Sequence, residues 1–368
     1  MRKKLVLFVM HEFTIGGAQR VVSHLLNNLD RDKFVVHLCL FKKKGPLLGE
    51  LSEDVVVHDL NARRVITSTH QLIYLIMKLK PDIVFTSITH VNLLLSVFIP
   101  LLKIGLKNAL FITREVNIPS IRAKYMHESR RMDYFYKKLI NNYDYIIAQS
   151  QFMKRDILQN YNVDENKMKI INNPIDLKAI DKKLKDTESK SHPFTISDKI
   201  NILTTGVLRK QKGFDILLKA MTLLDNRYHL NILGEGSERN RLEKMIEELD
   251  LSEKVTLLGF HGNPYIYMKD ADIIVLSSRY EGFPNVILEA NACGKFVIAF
   301  GCPGVGSEII ENNVNGLLVE CGNYKKLAEE IEKHSQIAHD EAIIKKTTAR
   351  YAVQNIVKEY ERLFLKSN

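Results

Sequence analysis

Short apolar runs rich in β-branched residues alternate with stretches of helical spacing along the whole chain, and that alternation leaves few folds open. In the first half the runs are Lys4–Val9, Val35–Leu40, Ile83–Phe85, Ala109–Ile112, Tyr145–Ala148 and Lys169–Ile171. In the second they are Asn201–Thr205, His229–Leu233, Val255–Leu258, Ile273–Ser277, Lys295–Ala299 and Gly316–Val319. Between them the apolar residues fall at helical intervals; Val22, Leu25, Leu26 and Leu29 make one face. Strands separated by helices must run parallel, in sheets covered on both sides. The stretch DLKAIDKKLKDTESKSHPFTISD, residues 176–198, is polar with few core candidates and separates the two series. The pattern predicts an α/β chain of two doubly wound, Rossmann-like domains, residues 1–175 and 199–350, joined by a linker over 176–198. A long amphipathic helix, Tyr351 to Leu365, follows. Ligands of such sheets sit at the carboxyl ends of the strands, and a cleft between two domains collects loops from both. The parallel sheets are therefore expected to face an inter-domain cleft.

A length of 368 residues suits two domains of ordinary size. No apolar segment reaches the roughly 18 residues that span a bilayer. The N-terminal MRKKLVLFVMHEF imitates a signal peptide, but its apolar run ends at Met10, and it reads as a first strand. Cys39, Cys293, Cys302 and Cys321 have no paired spacing, which argues against a zinc site or a disulfide framework and suits a reducing cytosol. The net charge of +10 is unevenly placed: residues 1–176 carry 26 Lys and Arg against 16 Asp and Glu, and residues 177–368 carry 27 against 27. Such asymmetry implies that one domain faces something anionic, with nucleic acid and a membrane surface the two candidates.

The stretch EGFPNVILEA, residues 281–290, lies where the apolar run ADIIVLSS gives way to a helix. Pro284 suits a first helical turn, where its missing N–H costs nothing. The N–H groups of Phe283 and Asn285 would be among the donors of a helix start, which also attracts anions. Glu281 sits just before that end and Glu289 a little over one turn inside. Two carboxylates can bracket a polyol, so the arrangement suits a ligand with both phosphate and vicinal hydroxyls, such as a nucleotide sugar; a capped helix with solvated acids is the plain alternative. GVLRKQKGFDILLKA (206–220) sets Gly206, the cluster Arg209, Lys210, Lys212 and then Gly213 after a strand, a plausible diphosphate site. LGEGSERNRLE (233–243) is another strand-to-helix glycine turn, reading G-x-G-x-x-R, which argues against a dinucleotide fingerprint. TIGGAQRVV (14–22) puts Gly16 and Gly17 after the first strand, where a backbone approaches a phosphate or simply turns.

In this order the pieces resemble the retaining GT-B glycosyltransferases of the large family-4 type (glycosyl transferases group 1) over nearly the whole chain. The resemblance rests on Gly16-Gly17, NNPID at 172–176, the Gly206–Gly213 loop, Gly234-Glu235-Gly236, VTLLGF at 255–260, GCPGVGSEIIENNVNGLLV at 301–319 and above all the E-x7-E pattern of Glu281 and Glu289. It implies that Lys212 holds the donor diphosphate, that Glu281 lies at the donor sugar and that Glu289 accepts ribose hydroxyls. It also implies that the Phe283 and Asn285 backbone contacts sugar and phosphates around Pro284, that Gly234 belongs to the same site, and that Gly259 and Phe260 lie near the base. Gly17 would approach the diphosphate from the other domain, and the last helix would cross back to the first. There are two departures. Val207 stands where the family commonly has Arg, leaving Arg209 to supply that charge. After the strand at 109–112 the chain reads ITREVNIPS, with Arg114 and Glu115 and no family His; those two either meet substrate or pair with each other.

Transfer needs the departing nucleoside diphosphate to be stabilised, by Lys212, Arg209 and helix starts. No metal and no cofactor is then required, and the acceptor proton can leave with the phosphate. Asp270-Ala271-Asp272 imitates a metal-binding D-x-D but precedes a buried strand, so a turn is expected. The segment IRAKYMHESRRMDYFYKKL (121–139) mixes bases with aromatic residues, which suits a membrane interface. The expected activity is therefore retaining transfer of a hexose or N-acetylhexosamine from a nucleotide sugar, preferably UDP-linked. The acceptor is a lipid-linked or surface-polysaccharide glycan, met by a peripheral protein on the inner face of the cell membrane. A nucleotide-sugar epimerase of the same fold and a catalytically weak donor-binding relative are the alternatives. A nucleic-acid partner is not expected, since no recognised motif appears.

Overall fold

The apolar runs become two parallel sheets in the computed structural model, which describes residues 2–62, 68–121, 130–185, 194, 198–306 and 308–366. The first sheet holds β1 (Lys4–Met10), β2 (Phe34–Leu40), β3 (Val56–Asp59), β4 (Ile83–Thr86), β5 (Leu110–Arg114), β6 (Tyr145–Ala148) and β7 (Met168–Ile170). Its order is β3-β2-β1-β4-β5-β6-β7. The second holds β8 (Ile200–Thr205), β9 (Tyr228–Leu233), β10 (Val255–Gly259), β11 (Ile273–Leu276), β12 (Val297–Phe300) and β13 (Gly316–Val319), in the order β10-β9-β8-β11-β12-β13. Every strand pair is parallel. In each sheet the order reverses beside the first strand, between β1 and β4 and between β8 and β11. Connections leave in opposite directions there, and the crevice at the carboxyl ends is where ligands of such sheets sit.

The chain divides into two units, Met1–Pro174 with Val353–Asn368, and Ile175–Ala352. Helices α1 (Gly17–Asn28), α2 (Thr69–Leu79), α3 (Thr89–Gly105), α4 (Arg130–Leu139) and α5 (Gln151–Asn160) belong to the first. The second has α6 (Leu177–Lys185), α7 (Phe214–Met221), α8 (Arg239–Glu248), α9 (Tyr265–Asp270), α10 (Asn285–Ala292), α11 (Tyr324–His334) and α12 (Glu341–Thr347). The last helix, α13 (Val353–Leu365), returns to the first unit.

β1 shows why both faces must be covered. Val6, Phe8 and Met10 point into one core with α1 and α13, while Leu7 and Val9 point into another with α2 and α3. An uninterrupted apolar run is the signature of a strand buried on both sides. Tyr360 and Phe364 of α13 pack edge-on against Phe85 at 5.9 and 6.2 Å, so the last helix completes the first core. Within the stretch expected as linker, Leu177–Lys185 is helical, and its Ile180 is buried in the core of the second unit. The strand with no counterpart in the sequence reading is β3, a half-exposed edge.

Candidate functional site

The loops after β8 and β11 are bound to each other along their length. Gly213 has φ +63, and a Cβ there would stand 2.1 Å from the Ser277 carbonyl oxygen, so only glycine permits the crossing. Ser277 Oγ donates to the Lys212 carbonyl at 2.9 Å, the Arg279 N–H donates to the Gln211 carbonyl at 2.8 Å, and Gln211 Nε2 donates to the Tyr280 carbonyl at 3.0 Å. The Arg279 guanidinium grips Asp215 of α7 with two bonds of 2.8 Å and reaches the Lys210 carbonyl at 2.8 Å. The two loops thus hold one geometry, and its product is an ion pair. Lys212 Nζ lies 2.7 Å from Glu281 Oε1, with side chains 18% and 8% exposed. Ser278 Oγ donates to the same carboxylate oxygen at 2.6 Å, and the Glu281 N–H donates to the Pro303 carbonyl at 2.8 Å. The lysine stem crosses Gly206, where a Cβ would be 3.1 Å from Cε.

The loop after β9 packs onto the same place. A Cβ on Gly234 would be 2.0 Å from the Gly206 carbonyl oxygen, and one on Gly236 would be 2.4 Å from that of Leu208. Gly259 ends β10 with φ +77, and Phe260 follows it 65% exposed. Helix α10 starts at Asn285, and Pro284 is its cap, not the first helical residue that its type suggested. With φ −83° and ψ 82°, Pro284 centres an inverse γ-turn closed by the Asn285 N–H on the Phe283 carbonyl at 3.0 Å. The Phe283 ring is buried against Tyr351, with centroids 6.1 Å apart. Only its backbone is thus placed for contact. Glu289 is half-buried one turn into α10. It lies near Cys293, whose thiol is pushed up to about 12 by burial and then by the Glu289 charge. Arg209 is exposed and its carbonyl accepts from the Lys212 N–H at 2.9 Å.

Sequence reasoning missed Ser278, Arg279 and Asp215, which hold this geometry; an Arg two residues before Glu281 and an Asp in the first turn of α7 were the available signals. Asp272 accepts from the Asn201 N–H at 2.7 Å and so ties together the amino ends of β8 and β11, while Asp270 ends α9. Among the described residues no group of three or more His, Cys, Asp or Glu is placed to hold a metal.

In the first unit Gly16 is extended and Gly17 opens α1 after β1. His11 and His90, at the carboxyl edge beside the reversal, stand with ring centroids 5.3 Å apart. Arg114 and Glu115, left by the sequence either to meet substrate or to pair with each other, are 1% and 0% exposed. The Arg114 guanidinium donates to Ser87 Oγ at 3.2 Å and to Asn173 Oδ1. Glu115 Oε1 accepts from Asn92 Nδ2 at 3.2 Å, and Gln149 Nε2 donates to the Glu115 carbonyl at 2.6 Å. Three loops and the first turn of α3 supply these partners, as a buried charge demands. Of the basic-aromatic segment 121–139, residues 122–129 lie outside the described residues. In α4, Tyr134 and Phe135 are exposed, while Tyr136 is buried with its ring 5.0 Å from Tyr161.

Two family models match the chain: Glycosyltransferase Family 4 over residues 15–179 and Glycosyl transferases group 1 over residues 185–350. The N-acetylgalactosamine-N,N'-diacetylbacillosaminyl-diphospho-undecaprenol 4-alpha-N-acetylgalactosaminyltransferase of Campylobacter jejuni is 32% identical over 343 residues, 87% of each chain. The poly(ribitol-phosphate) alpha-N-acetylglucosaminyltransferase of Staphylococcus aureus is 31% identical over 152 residues, 40% of this chain and 30% of that one. In structure, Anabaena HepE bound to UDP superposes with a TM-score of 0.79 at 20% identity, over 98% of this chain and 99% of that one. HepE has also been solved with UDP-glucose. Each unit is one Rossmann-like half of the GT-B fold.

Proposed function

This chain belongs to the group 1, family-4 glycosyltransferases, and from that premise we propose a retaining transferase that moves a hexose or N-acetylhexosamine from a UDP-sugar to a lipid-linked or surface-polysaccharide glycan at the cytoplasmic membrane face. The observation that carries it is the Lys212–Glu281 pair, held at 2.7 Å by the loops that follow β8 and β11, the two strands that flank the order reversal of the second sheet.

Breaking the anomeric bond puts negative charge on the departing diphosphate. An ammonium carries three N–H donors. Glu281 takes one from Lys212, which leaves the others for phosphate oxygens. The start of α10 adds its own positive end, and Arg209 brings a second cation from the solvent side. In this reading Glu281 orients a donor-sugar hydroxyl and Glu289 accepts from the ribose. Fixed cations then do the neutralising that a divalent ion would do elsewhere, and turnover in EDTA is the expected behaviour. The acceptor hydroxyl passes its proton to the leaving phosphate as the new bond forms. The names of the Campylobacter and Staphylococcus relatives specify α linkages. Nucleotide-linked N-acetylhexosamines are themselves α, so an α product means retention, which supports the same outcome here. HepE, solved with UDP and UDP-glucose, supports UDP as the leaving group.

The test incubates the protein with individual UDP-sugars, with and without a short-chain lipid-diphosphate glycan. UDP release that requires both substrates, with an α-linked product by proton NMR, is the expected result. An isomerised nucleotide sugar formed without acceptor would establish the epimerase instead. A panel of UDP-sugars that fails to raise the melting temperature would remove the donor assignment.

A further inference from the structure

Helix α3 is apolar on both sides. Val91, Leu95, Ile99 and Leu102 fill the core, as the inner face of any covering helix must. Its outer face carries Val97, Leu101 and Ile104, which are 51%, 61% and 72% exposed. Spacings of four and three residues put them on one stripe. Helix α2 continues the stripe. The Met77 methyl lies against Gly105, where a Cβ would be 2.7 Å away, and Tyr74, one turn earlier, is 67% exposed. A soluble surface seldom leaves so many neighbouring apolar side chains in water.

The charged side chains of α2 and α3 themselves are all basic. Neither α2 nor α3 contains an Asp or Glu. Lys78, Lys80 and Lys107 are exposed beside them. The nearby acids are engaged, Asp82 with Arg2 and Asp144 with Lys103. On the next helix, α4, Tyr134 and Phe135 are exposed and Lys138 lies 5.8 Å from the Tyr134 ring. No helix among the described residues is long and apolar enough to cross a membrane, and α3 needs its inner side for the core.

We propose that the outer face of α2 and α3 is the surface by which this protein docks on an anionic bilayer, with Val97, Leu101 and Ile104 entering the headgroup boundary and the lysines meeting lipid phosphates. This rests on the acceptor reading above and assigns the membrane contact to α2 and α3, where the sequence had pointed to 121–139. A second copy of the chain is the poorer occupant, because a two-fold contact would set Lys78, Lys80 and Lys107 against their own kind.

The chain has no tryptophan, so Val97→Trp gives a fluorophore without background. With vesicles of phosphatidylcholine and about one third phosphatidylglycerol, its emission should shift to the blue and be quenched by brominated acyl chains. With phosphatidylcholine alone, or at high salt, the shift should shrink. Leu101→Glu and Ile104→Glu, at exposed positions, should lower vesicle binding at least about tenfold while melting and turnover on a water-soluble acceptor stay unchanged. Three results would overturn the proposal: no blue shift on anionic vesicles; full binding by both variants while Lys137→Glu with Lys138→Glu abolishes it; or a concentration-dependent dimer that Leu101→Glu dissolves. Loss of turnover on the soluble acceptor in the unaltered protein defeats the catalytic reading instead, and vesicle binding is read independently of it.

Discussion

Replacing Lys212 by Ala separates a catalytic cation from a structural one. The ammonium stands 2.7 Å from Glu281 with its side chain 18% exposed, so its field is only partly screened. A unit charge about 4 Å away at an effective dielectric near 20 interacts by about 4 kcal/mol. Losing one preorganised donor from a developing anion typically costs about 2.7–4 kcal/mol. At about 1.4 kcal/mol per decade that is a fall of roughly 10²–10³ in kcat. The same change leaves Glu281, 8% exposed in its side chain, with Ser278 as its remaining side-chain donor. A group so stripped costs about 1–3 kcal/mol in stability, seen as a lowered melting temperature. Initial rates with saturating donor and acceptor, with a melt on the same sample, read both effects. The double variant Lys212→Ala with Glu281→Ala separates them. It removes the uncompensated carboxylate and should recover most of the melting temperature, while turnover stays down. Activity that returns with the melting temperature, or a single variant within about threefold of the unaltered kcat, would show that the pair only holds the loops together.

Three further outcomes follow from geometry already described. Gly213→Ala forces a Cβ to within 2.1 Å of the Ser277 carbonyl oxygen at φ +63. It should destabilise the second unit by about 2 kcal/mol or more, read by denaturant titration; an unchanged midpoint would mean that the loops do not meet there. Arg114→Met should cost about 2–5 kcal/mol by leaving Ser87 and Asn173 without their buried partner, and Arg114→Lys should not restore it, because an ammonium lacks the planar fork. Both are read by melting, and full stability of the Lys variant would refute the reading. His334 and His339, stacked with Phe296 at 4.7 and 3.8 Å, have pKa values lowered by burial below the usual 6.5. Their neutral forms favour the fold, so the unfolded chain takes up protons first as pH drops. Stability is full above about pH 6.5 and declines below it, towards the folded values. Unfolding midpoints from pH 7.5 down to 5 should show this slope, flatter in His334→Leu; identical slopes would sink it.

The sequence carried the strands well because the central runs are apolar or β-branched at nearly every position, so no choice of face had to be made. β3 escaped it: Val56–Asp59 is a four-residue edge with His58 and Asp59 inside, and only its pairing with β2 makes it a strand. The 176–198 stretch looked like pure linker because α6 buries little more than Ile180. Lys212 and Glu281 could be found because glycines and a strand–helix junction mark each loop. That they meet could not, since 69 residues separate them and the sheet order alone makes β8 and β11 neighbours. The enclosure of Arg114 and Glu115 was hidden for the opposite reason. Their partners Ser87, Asn92, Gln149 and Asn173 are scattered over 87 positions, and nothing local says that a charged pair after a strand has been enclosed.

The place of α13 sets a timetable for synthesis. Phe8, Phe34 and Phe85 emerge from the ribosome early, yet the rings that seal them belong to Tyr360 and Phe364. At about 5–20 residues per second, the intervening stretch keeps the first unit unsealed for tens of seconds, while Ile175–Ala352 already has all of its own strands. The part that begins first is therefore finished last, and the exposed aromatic seam of the waiting sheet is where a chaperone would be expected to hold the nascent chain.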